Sequence, residues 1–445
     1  MKKENIKKFY IKTIGCQMNK SDSERLAAFL EKSGYKEASK RNEADLVFIN
    51  TCGVRQSAED RIYGLIPTIK RENPKVGIIL TGCLVNREDV KKRTKEKIDL
   101  YFSITDLPNL DKKLNNILSE KDNDKNDNFG SGDDYLKINP KINSDFSALI
   151  PIGNGCNNFC SYCVVPYARG REKYRSASEI IKEVRELIKK GYKEITLIAQ
   201  NVNSYSSSSL DFSDLLKKVN DIEGKFWIRF FTSHPKDMSD KLIKTIAVCK
   251  KVCSHVHLPA QSGDNEILKA MNRKYTIEHY KKLILKIRDK CNFKKFVLQV
   301  DLLPVSISTD LIVGFPGETE KQFQNSKKLF KEMKYDLAYT AQYSPRYGTA
   351  AYKLEDNVDN KEKKRRENEL LDVLKKTAEA NNRKYLGKKV SVLVEGKNKK
   401  GFYYGKTCTY KNVSIINKRN DVKKGEFVMV EIKKSMDFGL DGVLI

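Results

Sequence analysis

SALIPIGNGCNNFCSYC, residues 147–163, couples a short apolar run to three cysteines, Cys156, Cys160 and Cys163. The run has the length of a buried strand, and the cysteines fall in the loop that follows it. Three thiolates at CxxxCxxC spacing can hold three irons of a cubane cluster, which leaves the fourth iron without a protein ligand. Such an iron is open to chelation by a small molecule. A zinc ion would want a fourth protein ligand nearby. His234, His255 and His257 all lie far along the chain.

Working outward, the same strand opens a series. Apolar runs at 147–152, 193–199, 226–232, 254–258, 308–315 and 337–343 alternate with helical stretches such as ASEIIKEVRELIKKG (177–191). Six βα units predict an open, partial (β/α)6 barrel rather than a closed eight-stranded one. A helix rich in Lys, Arg and Glu (360–383) leaves it.

Upstream, strand-like runs at 9–15, 45–51, 76–82 and 98–104 alternate with helices at 22–34 and 58–71. Apolar strands alternating with helices predict an open parallel sheet covered on both faces. Cys16, Cys52 and Cys83 each stand just past one of these strands, flanked by Gly15, Gly53 and Gly82. All strand C-terminal ends of a parallel sheet share one edge, where ligands bind. Three cysteines at equivalent positions there predict a second three-thiolate cluster. A single cysteine would be read as a small buried hydrophobe. Cys249, Cys253, Cys291 and Cys408 follow no ligand spacing and are expected to be structural.

Residues 384–445 change character. Short alternating strands at 389–396, 402–407 and 426–434, broken by Gly and Asn, predict a small β-barrel. Residues 383–445 carry 15 Lys and Arg against 6 Asp and Glu, with Phe402, Tyr403, Tyr404 and Tyr410 among them. Basic charge with exposed aromatics suits RNA; barrel core is the other use for such rings. The fold class is therefore α/β, with an N-terminal sheet domain at 8–118, a polar linker at 119–146, the partial barrel at 147–383 and the β-barrel at 384–445.

The 445 residues carry a formal net charge of +27. That excess suits a polyanionic partner, although a lysine-rich composition bias gives the same count. No apolar run approaches the roughly 18 residues of a membrane helix, and the N-terminus lacks an apolar signal core. A cytoplasmic location with no membrane partner is expected, and the ten cysteines are not expected to form a disulfide framework.

The motifs as a set resemble the methylthiotransferase family. Thr13-Ile-Gly-Cys16-Gln-Met-Asn19 with Asp22-Ser-Glu24, Asn50-Thr-Cys52-Gly-Val-Arg55, and Cys163-Val-Val-Pro-Tyr167-Ala-Arg-Gly-Arg-Glu172 carry the likeness. So do Gln200-Asn-Val-Asn203, Thr232-Ser-His-Pro235, His257-Leu-Pro-Ala-Gln-Ser-Gly263 and Ser308-Thr-Asp310 leading into Gly314-Phe-Pro-Gly-Glu-Thr319. Within the family the chain is similar to the branch acting on adenosine in tRNA. It departs from the family pattern at Leu84-Val-Asn-Arg87, at Asn154, at Tyr174 and in the stretch Phe293–Val305.

The resemblance implies a radical S-adenosylmethionine domain, a C-terminal TRAM barrel, two 4Fe–4S clusters and two S-adenosylmethionine molecules per turnover. It implies that the Cys156/Cys160/Cys163 cluster binds and reductively cleaves the cofactor. The resulting 5′-deoxyadenosyl radical takes hydrogen from C2 of an adenine, and the Cys16/Cys52/Cys83 cluster delivers a methylthio group there. The expected substrate is N6-isopentenyladenosine beside the anticodon, met on the tRNA anticodon stem-loop. A flavodoxin- or ferredoxin-like protein is the expected electron donor. Gln200, Ser308, Asp310 and Gly314 are the expected cofactor contacts, and Tyr167 and Arg169 the expected substrate-facing residues. His234 and His257 are candidates to line the cavity. Methylthiolation of threonylcarbamoyladenosine or of a ribosomal protein, and an RNA-binding protein with structural or redox-sensing clusters, are the alternatives.

Overall fold

The computed structural model describes residues 7–54, 56–118, 135–292, 301–416 and 422–445. These fall into two compact units, and the units do not follow chain order. The first comprises Met1–Asn143, Asn154–Lys173 and Arg346–Tyr352. The second comprises Ser144–Gly153, Tyr174–Pro345 and Lys353–Ile445.

The first unit is built on a five-stranded sheet in the order β2-β1-β3-β4-β5, every pair parallel. Its strands are β1 (Lys8–Ile14), β2 (Lys36–Glu37), β3 (Leu46–Thr51), β4 (Gly77–Gly82) and β5 (Leu100–Tyr101). Side chains alternate between the faces of a strand, and both faces here are covered. Val47, Ile49, Ile78 and Leu80 pack with Ile62, Ile66 and Ile69 of the helix Gln56–Glu72. Leu46, Phe48 and Ile79 pack with Leu26 and Leu30 of the helix Gln17–Lys32. Burial on both faces explains why β3 reads as one unbroken apolar run. The short edge strand β2 has no such signature, because both its residues are exposed.

Of the expected linker, residues 119–134 lie outside the described residues. Part of the remainder packs within the first unit, and the boundary between the two units falls after Asn143. Tyr135 and Leu136 are buried in the Phe48 core, and the Lys141 amide donates to the Glu24 carbonyl at 2.9 Å. Two apolar residues in a polar stretch are too weak a pattern to announce this docking.

The second unit holds the six expected barrel strands: Ser147–Pro151, Glu194–Ile198, Trp227–Phe230, His255–His257, Ser306–Val313 and Leu337–Gln342. They form two three-stranded parallel sheets, the first three strands in one and the last three in the other, and an isolated parallel bridge, Ile228 to Val252, leads from the third strand to the segment before the fourth. Among the described residues no pairing joins the first strand to the sixth, so the (β/α)6 barrel is open. Residues 293–300 of the expected longer stretch lie outside the described residues, while Leu303 and Val305 are buried.

The C-terminal segment is a closed five-stranded barrel of Lys389–Lys397, Tyr403–Thr407, Asn412–Ile415, Phe427–Met436 and Gly439–Leu444. Two of these strands, Asn412–Ile415 and Gly439–Leu444, are not among those expected from the sequence, although Asn412–Ile415 alternates polar with apolar residues. Its core is continuous with the partial barrel. Trp227, Phe146, Cys253 and Leu303 share one cluster with Val390, Val392, Tyr403, Cys408 and Ile432. Trp227 and Phe427 ring centroids lie 4.8 Å apart, and Arg229 donates to the Thr407 carbonyl at 2.9 Å while pairing with Glu194 at 2.5 Å. Two of the four aromatics expected to face RNA are thereby used in packing. Tyr403 is buried in the core, and Tyr410 stacks on His255 at 4.8 Å. Tyr404 remains exposed. Among the described residues no helix is long and apolar enough to cross a membrane.

Candidate functional site

β1, β3 and β4 are neighbours in the sheet, and their register aligns Ile14 with Thr51 and Thr51 with Gly82. Cys52 and Cys83 follow Thr51 and Gly82 directly and Cys16 follows Ile14 by two residues, so all three emerge from one sheet edge. The ladder fixes the backbone there. The Cys52 amide donates to the Ile14 carbonyl and the Cys83 amide to the Thr51 carbonyl, both at 2.8 Å. Cys16 also opens the helix Gln17–Lys32, with its sulfur 3.2 Å from Asn19 Oδ1. Asn19 and Asn50 tie the helix to β3: Asn19 Nδ2 donates to Asn50 Oδ1 at 2.8 Å, and Asn50 Nδ2 to the Asn19 carbonyl at 2.9 Å. Gly82 has φ +93, and a Cβ added to it would stand 2.3 Å from the Thr51 carbonyl oxygen. Only glycine lets β4 turn toward the site at that point. Cys16 is exposed, and Cys52 and Cys83 are buried. Arg55, at the end of the second motif, lies outside the described residues.

Cys156, Cys160 and Cys163 belong to the same compact unit. They sit half-buried in a tight loop, with the Cys163 amide donating to the Cys160 carbonyl at 3.0 Å and the Cys156 amide to the Gly170 carbonyl at 3.1 Å. Burial pushes the thiols of Cys156 and Cys163 up, and the neighbouring cysteines add to the effect. A thiolate in such a place calls for a compensating cation, and an iron centre supplies one. Among the described residues no three His, Cys, Asp or Glu side chains are grouped as a metal-ion site. In a cubane each thiolate takes a different iron, so convergence on one point is not required.

Arg169 is placed differently from the substrate-facing expectation. It is buried, and Nη2 donates to Asp22 Oδ2 at 2.6 Å, Nη1 to Asn154 Oδ1 at 3.1 Å and Nε to Cys83 Sγ at 3.4 Å. Burial works against its charge, but Asp22 and then Cys83 hold its pKa well above the usual value. Tyr167, two residues earlier, is exposed and packs edge-on against Phe159 at 6.1 Å. A second buried arginine went unread in the sequence. Arg346 Nη1 donates to Gln56 Oε1 at 2.7 Å, and Nη2 donates to the Val54 carbonyl at 3.1 Å, bracing the loop after Cys52. Nothing in its local sequence marks it, because its partners lie some 290 residues away.

Among the described residues of the second unit, the buried polar atoms with no hydrogen-bond partner include Gln200 Oε1, Asn201 Oδ1 and Ser233 Oγ. All three lie just past the C-terminal ends of adjacent strands, Glu194–Ile198 and Trp227–Phe230. Buried polar groups are nearly always paired, so this edge has the character of a polar ligand site. Ser308 is enclosed instead. Its Oγ lies 2.8 Å from His255 Nε2 and 2.9 Å from His257 Nδ1, and His257 Nε2 lies 3.4 Å from Asp310 Oδ2. Asp310 keeps a partly exposed carboxylate. The Gly314 amide donates to Glu318 Oε2 at 2.6 Å, and the space beside its Cα is filled by the Lys363 stem. His234 is buried, and its Nδ1 accepts from the Lys236 amide at 3.2 Å. Burial, with Arg273 and Lys236, pushes its pKa down to about 2. The departure Tyr174 hydrogen-bonds Ser204 Oγ at 2.6 Å and packs against Tyr205. Cys249, Cys253, Cys291 and Cys408 are all buried.

Three family models match the chain in order. Residues 8–103 match uncharacterized protein family UPF0004, residues 150–330 the radical SAM superfamily and residues 383–445 the TRAM domain. The tRNA-2-methylthio-N(6)-dimethylallyladenosine synthase of Clostridium tetani is 42% identical, over 98% of this chain and 95% of its own. The chain belongs to this synthase family. The enzyme of the same name from Clostridium botulinum strain Hall is also 42% identical, over 98% of this chain and 97% of its own. A radical S-adenosylmethionine methyltransferase from Kitasatospora setae shares the fold, with a TM-score of 0.55 over 78% of this chain and 75% of its own, at 12% identity. Membership in the radical SAM superfamily implies a 4Fe–4S cluster and S-adenosylmethionine. The Cys156/Cys160/Cys163 loop has the donor set for such a cluster. The unpaired buried atoms of Gln200, Asn201 and Ser233 fit a polar cofactor.

Proposed function

We propose that this chain converts N6-isopentenyladenosine, beside the anticodon of tRNA, to its 2-methylthio derivative. The observation that carries the reading is the 42% identity to synthases of that name across 98% of the chain. Residues 8–118, 147–383 and 384–445 divide the work. The first holds Cys16, Cys52 and Cys83 around a second cluster. The second holds Cys156, Cys160 and Cys163 and the cofactor. The third, basic and bearing exposed Tyr404, grips tRNA. When bound, the two clusters supply one-electron cleavage of S-adenosylmethionine and a carried sulfur.

The chain's own residues orient and enclose. Gln200, Asn201 and Ser233 offer unpaired polar atoms to the cofactor's methionine end. Asp310 offers its exposed carboxylate to the ribose, with Ser308 acting behind it by holding His257 in place. His234 stays neutral and lines the site without transferring a proton. Tyr167 faces the substrate from the end of the cysteine loop. The donor of electrons is a flavodoxin- or ferredoxin-like protein.

The test is a competition between tRNAs carrying isopentenyl- and threonylcarbamoyladenosine, with methyl-labelled cofactor, scored by mass spectrometry of digested nucleosides. The isopentenyl form is expected to gain the methylthio group. Preference for the threonylcarbamoyl form would move the chain to the sister substrate. Label in a ribosomal protein would move it to a protein acceptor. Absence of any cofactor cleavage by the reconstituted chain would leave only an RNA-binding role.

A further inference from the structure

Arg169 ends the short helix Val165–Arg169 that follows the cysteine loop. It follows Cys163 by six residues, yet its guanidinium is spent on the N-terminal sheet edge: Nη2 on Asp22 at 2.6 Å and Nε on Cys83 Sγ at 3.4 Å. The pair is fully enclosed, with 3% of the Arg169 side chain and 1% of the Asp22 side chain accessible. Asp22 stands on the helix that begins at Cys16. Asn154 steadies the other end, accepting from Nη1 at 3.1 Å and donating to the Arg169 carbonyl at 3.3 Å. The next carbonyl, that of Gly170, accepts from the Cys156 amide at 3.1 Å. One residue is thus hydrogen-bonded to a sulfur of one thiolate set and joined through its neighbour's backbone to the other.

A buried cation costs a great deal unless it is paired. Asp22 offsets that cost at Nη2, while the Nε edge of the guanidinium remains directed at sulfur. Hydrogen bonds to ligand sulfurs and net charge nearby set the potential of an iron–sulfur centre. An N–H donor and a positive charge both favour the state carrying one more electron.

We propose that Arg169 is a positioning residue of the Cys16/Cys52/Cys83 centre, whose buried charge, held by Asp22 and Asn154 and aimed at Cys83 Sγ, raises that centre's reduction potential. The inference rests on the proposed two-cluster reading. Three substitutions separate charge from architecture. Arg169→Gln removes the cation and is expected to lower the N-terminal midpoint. Asn154→Asp adds an anion to Nη1 at constant shape and is expected to lower it too. Asp22→Asn removes the compensating anion and is expected to raise it. A purely structural role has no reason to give opposite signs.

The measurement is an anaerobic redox titration of the reconstituted full chain, followed by electron paramagnetic resonance, with iron counted in each sample. The signal that survives in the Cys156→Ala chain belongs to the N-terminal centre. The expected shift in Arg169→Gln is at least tenfold in the oxidised-to-reduced ratio at fixed potential, about 59 mV for one electron. If Arg169→Gln fails to fold, the opposed signs of Asn154→Asp and Asp22→Asn decide. Wild-type chain holding about four irons rather than about eight would overturn the two-cluster reading itself. About eight irons with an unmoved N-terminal midpoint, or with all variants shifted the same way, would overturn the role of Arg169 and leave that reading standing.

Discussion

Replacing Gly82 by alanine tests whether the geometry of the N-terminal sheet edge depends on one backbone conformation. At φ +93 an alanine bears a left-handed penalty of about 1–2 kcal/mol. Its Cβ would also stand 2.3 Å from the Thr51 carbonyl oxygen, 2.7 Å from the Thr51 nitrogen and 2.7 Å from Asn50 Oδ1. The first two are backbone atoms of the adjacent strand. The third is held by Asn19 at 2.8 Å. None can swing aside, so the β3–β4 ladder has to part at the Cys83 amide, and a hydrogen bond worth about 1 kcal/mol is lost. The sum is about 2–3 kcal/mol. Gly34→Ala is the control, because Gly34 has φ +88 with no heavy atom within 4 Å of the added Cβ. It carries the backbone penalty alone. For a domain of this size each kcal/mol lowers the melting temperature by about 2–4 °C, which predicts a drop of about 4–12 °C for Gly82→Ala and about 2–8 °C for Gly34→Ala, with Gly82→Ala the lower of the two in a side-by-side comparison. The assay is thermal unfolding of the anaerobic chain followed by tryptophan-independent far-ultraviolet dichroism, with iron content measured alongside. Gly82→Ala is also expected to lose iron, since Cys83 moves with the ladder. Equal melting of the two variants, with full iron in both, would refute the reasoning.

Cys52→Ala is expected to retain cleavage of S-adenosylmethionine to 5′-deoxyadenosine while losing methylthiolated nucleoside; Cys156→Ala is expected to lose both, and mass spectrometry of the two products reads each. Lys399→Ala with Lys400→Ala, both on an exposed turn of the C-terminal barrel, is expected to weaken tRNA binding and to reduce the slope of log affinity against log salt by about 1 per lysine, measured by filter binding. Deleting 384–445 is a poorer probe of tRNA binding: it uncovers Trp227 and leaves Arg229 without its Thr407 contact, so the truncated chain is expected to melt lower even without tRNA. His234 has its pKa pushed down to about 2. A histidine depressed in the folded state binds its proton in the unfolded chain first, so stability is full above about pH 6.5 and falls as the solution is acidified below it. From pH 7.5 to 5.5 the loss from this residue is about 1.4 kcal/mol, and His234→Gln is expected to narrow the difference in melting temperature between those two pH values.

Strands of the first sheet were legible in the sequence because burial on two faces leaves an unbroken apolar run, as at residues 46–49 and 78–80. The placement of Cys16, Cys52 and Cys83 was legible for a related reason. In a parallel sheet the direction of every strand is the same, so a residue just past one strand end lies beside its counterparts past the next. What patterning could not reach were the elements and contacts with no periodic signature: the exposed edge strand Lys36–Glu37 and the docking of Tyr135 and Leu136.

The sequence by itself determined the two cysteine sets, the order of three kinds of domain and the chemistry those imply. The cysteine sets and the domain order follow from local spacing and from the period of burial; the chemistry follows from the resemblance of the motifs to a known family. Only the tertiary structure decided how charges and rings are used. Arg169 is ordinary in its motif until Asp22, 147 residues away, takes its Nη2. Tyr410 looks like an RNA-facing ring until His255 stacks against it. A polar or aromatic side chain gives no local sign of its partner, because its pairing is settled by which distant element the fold brings within about 3 Å of a hydrogen-bonding atom.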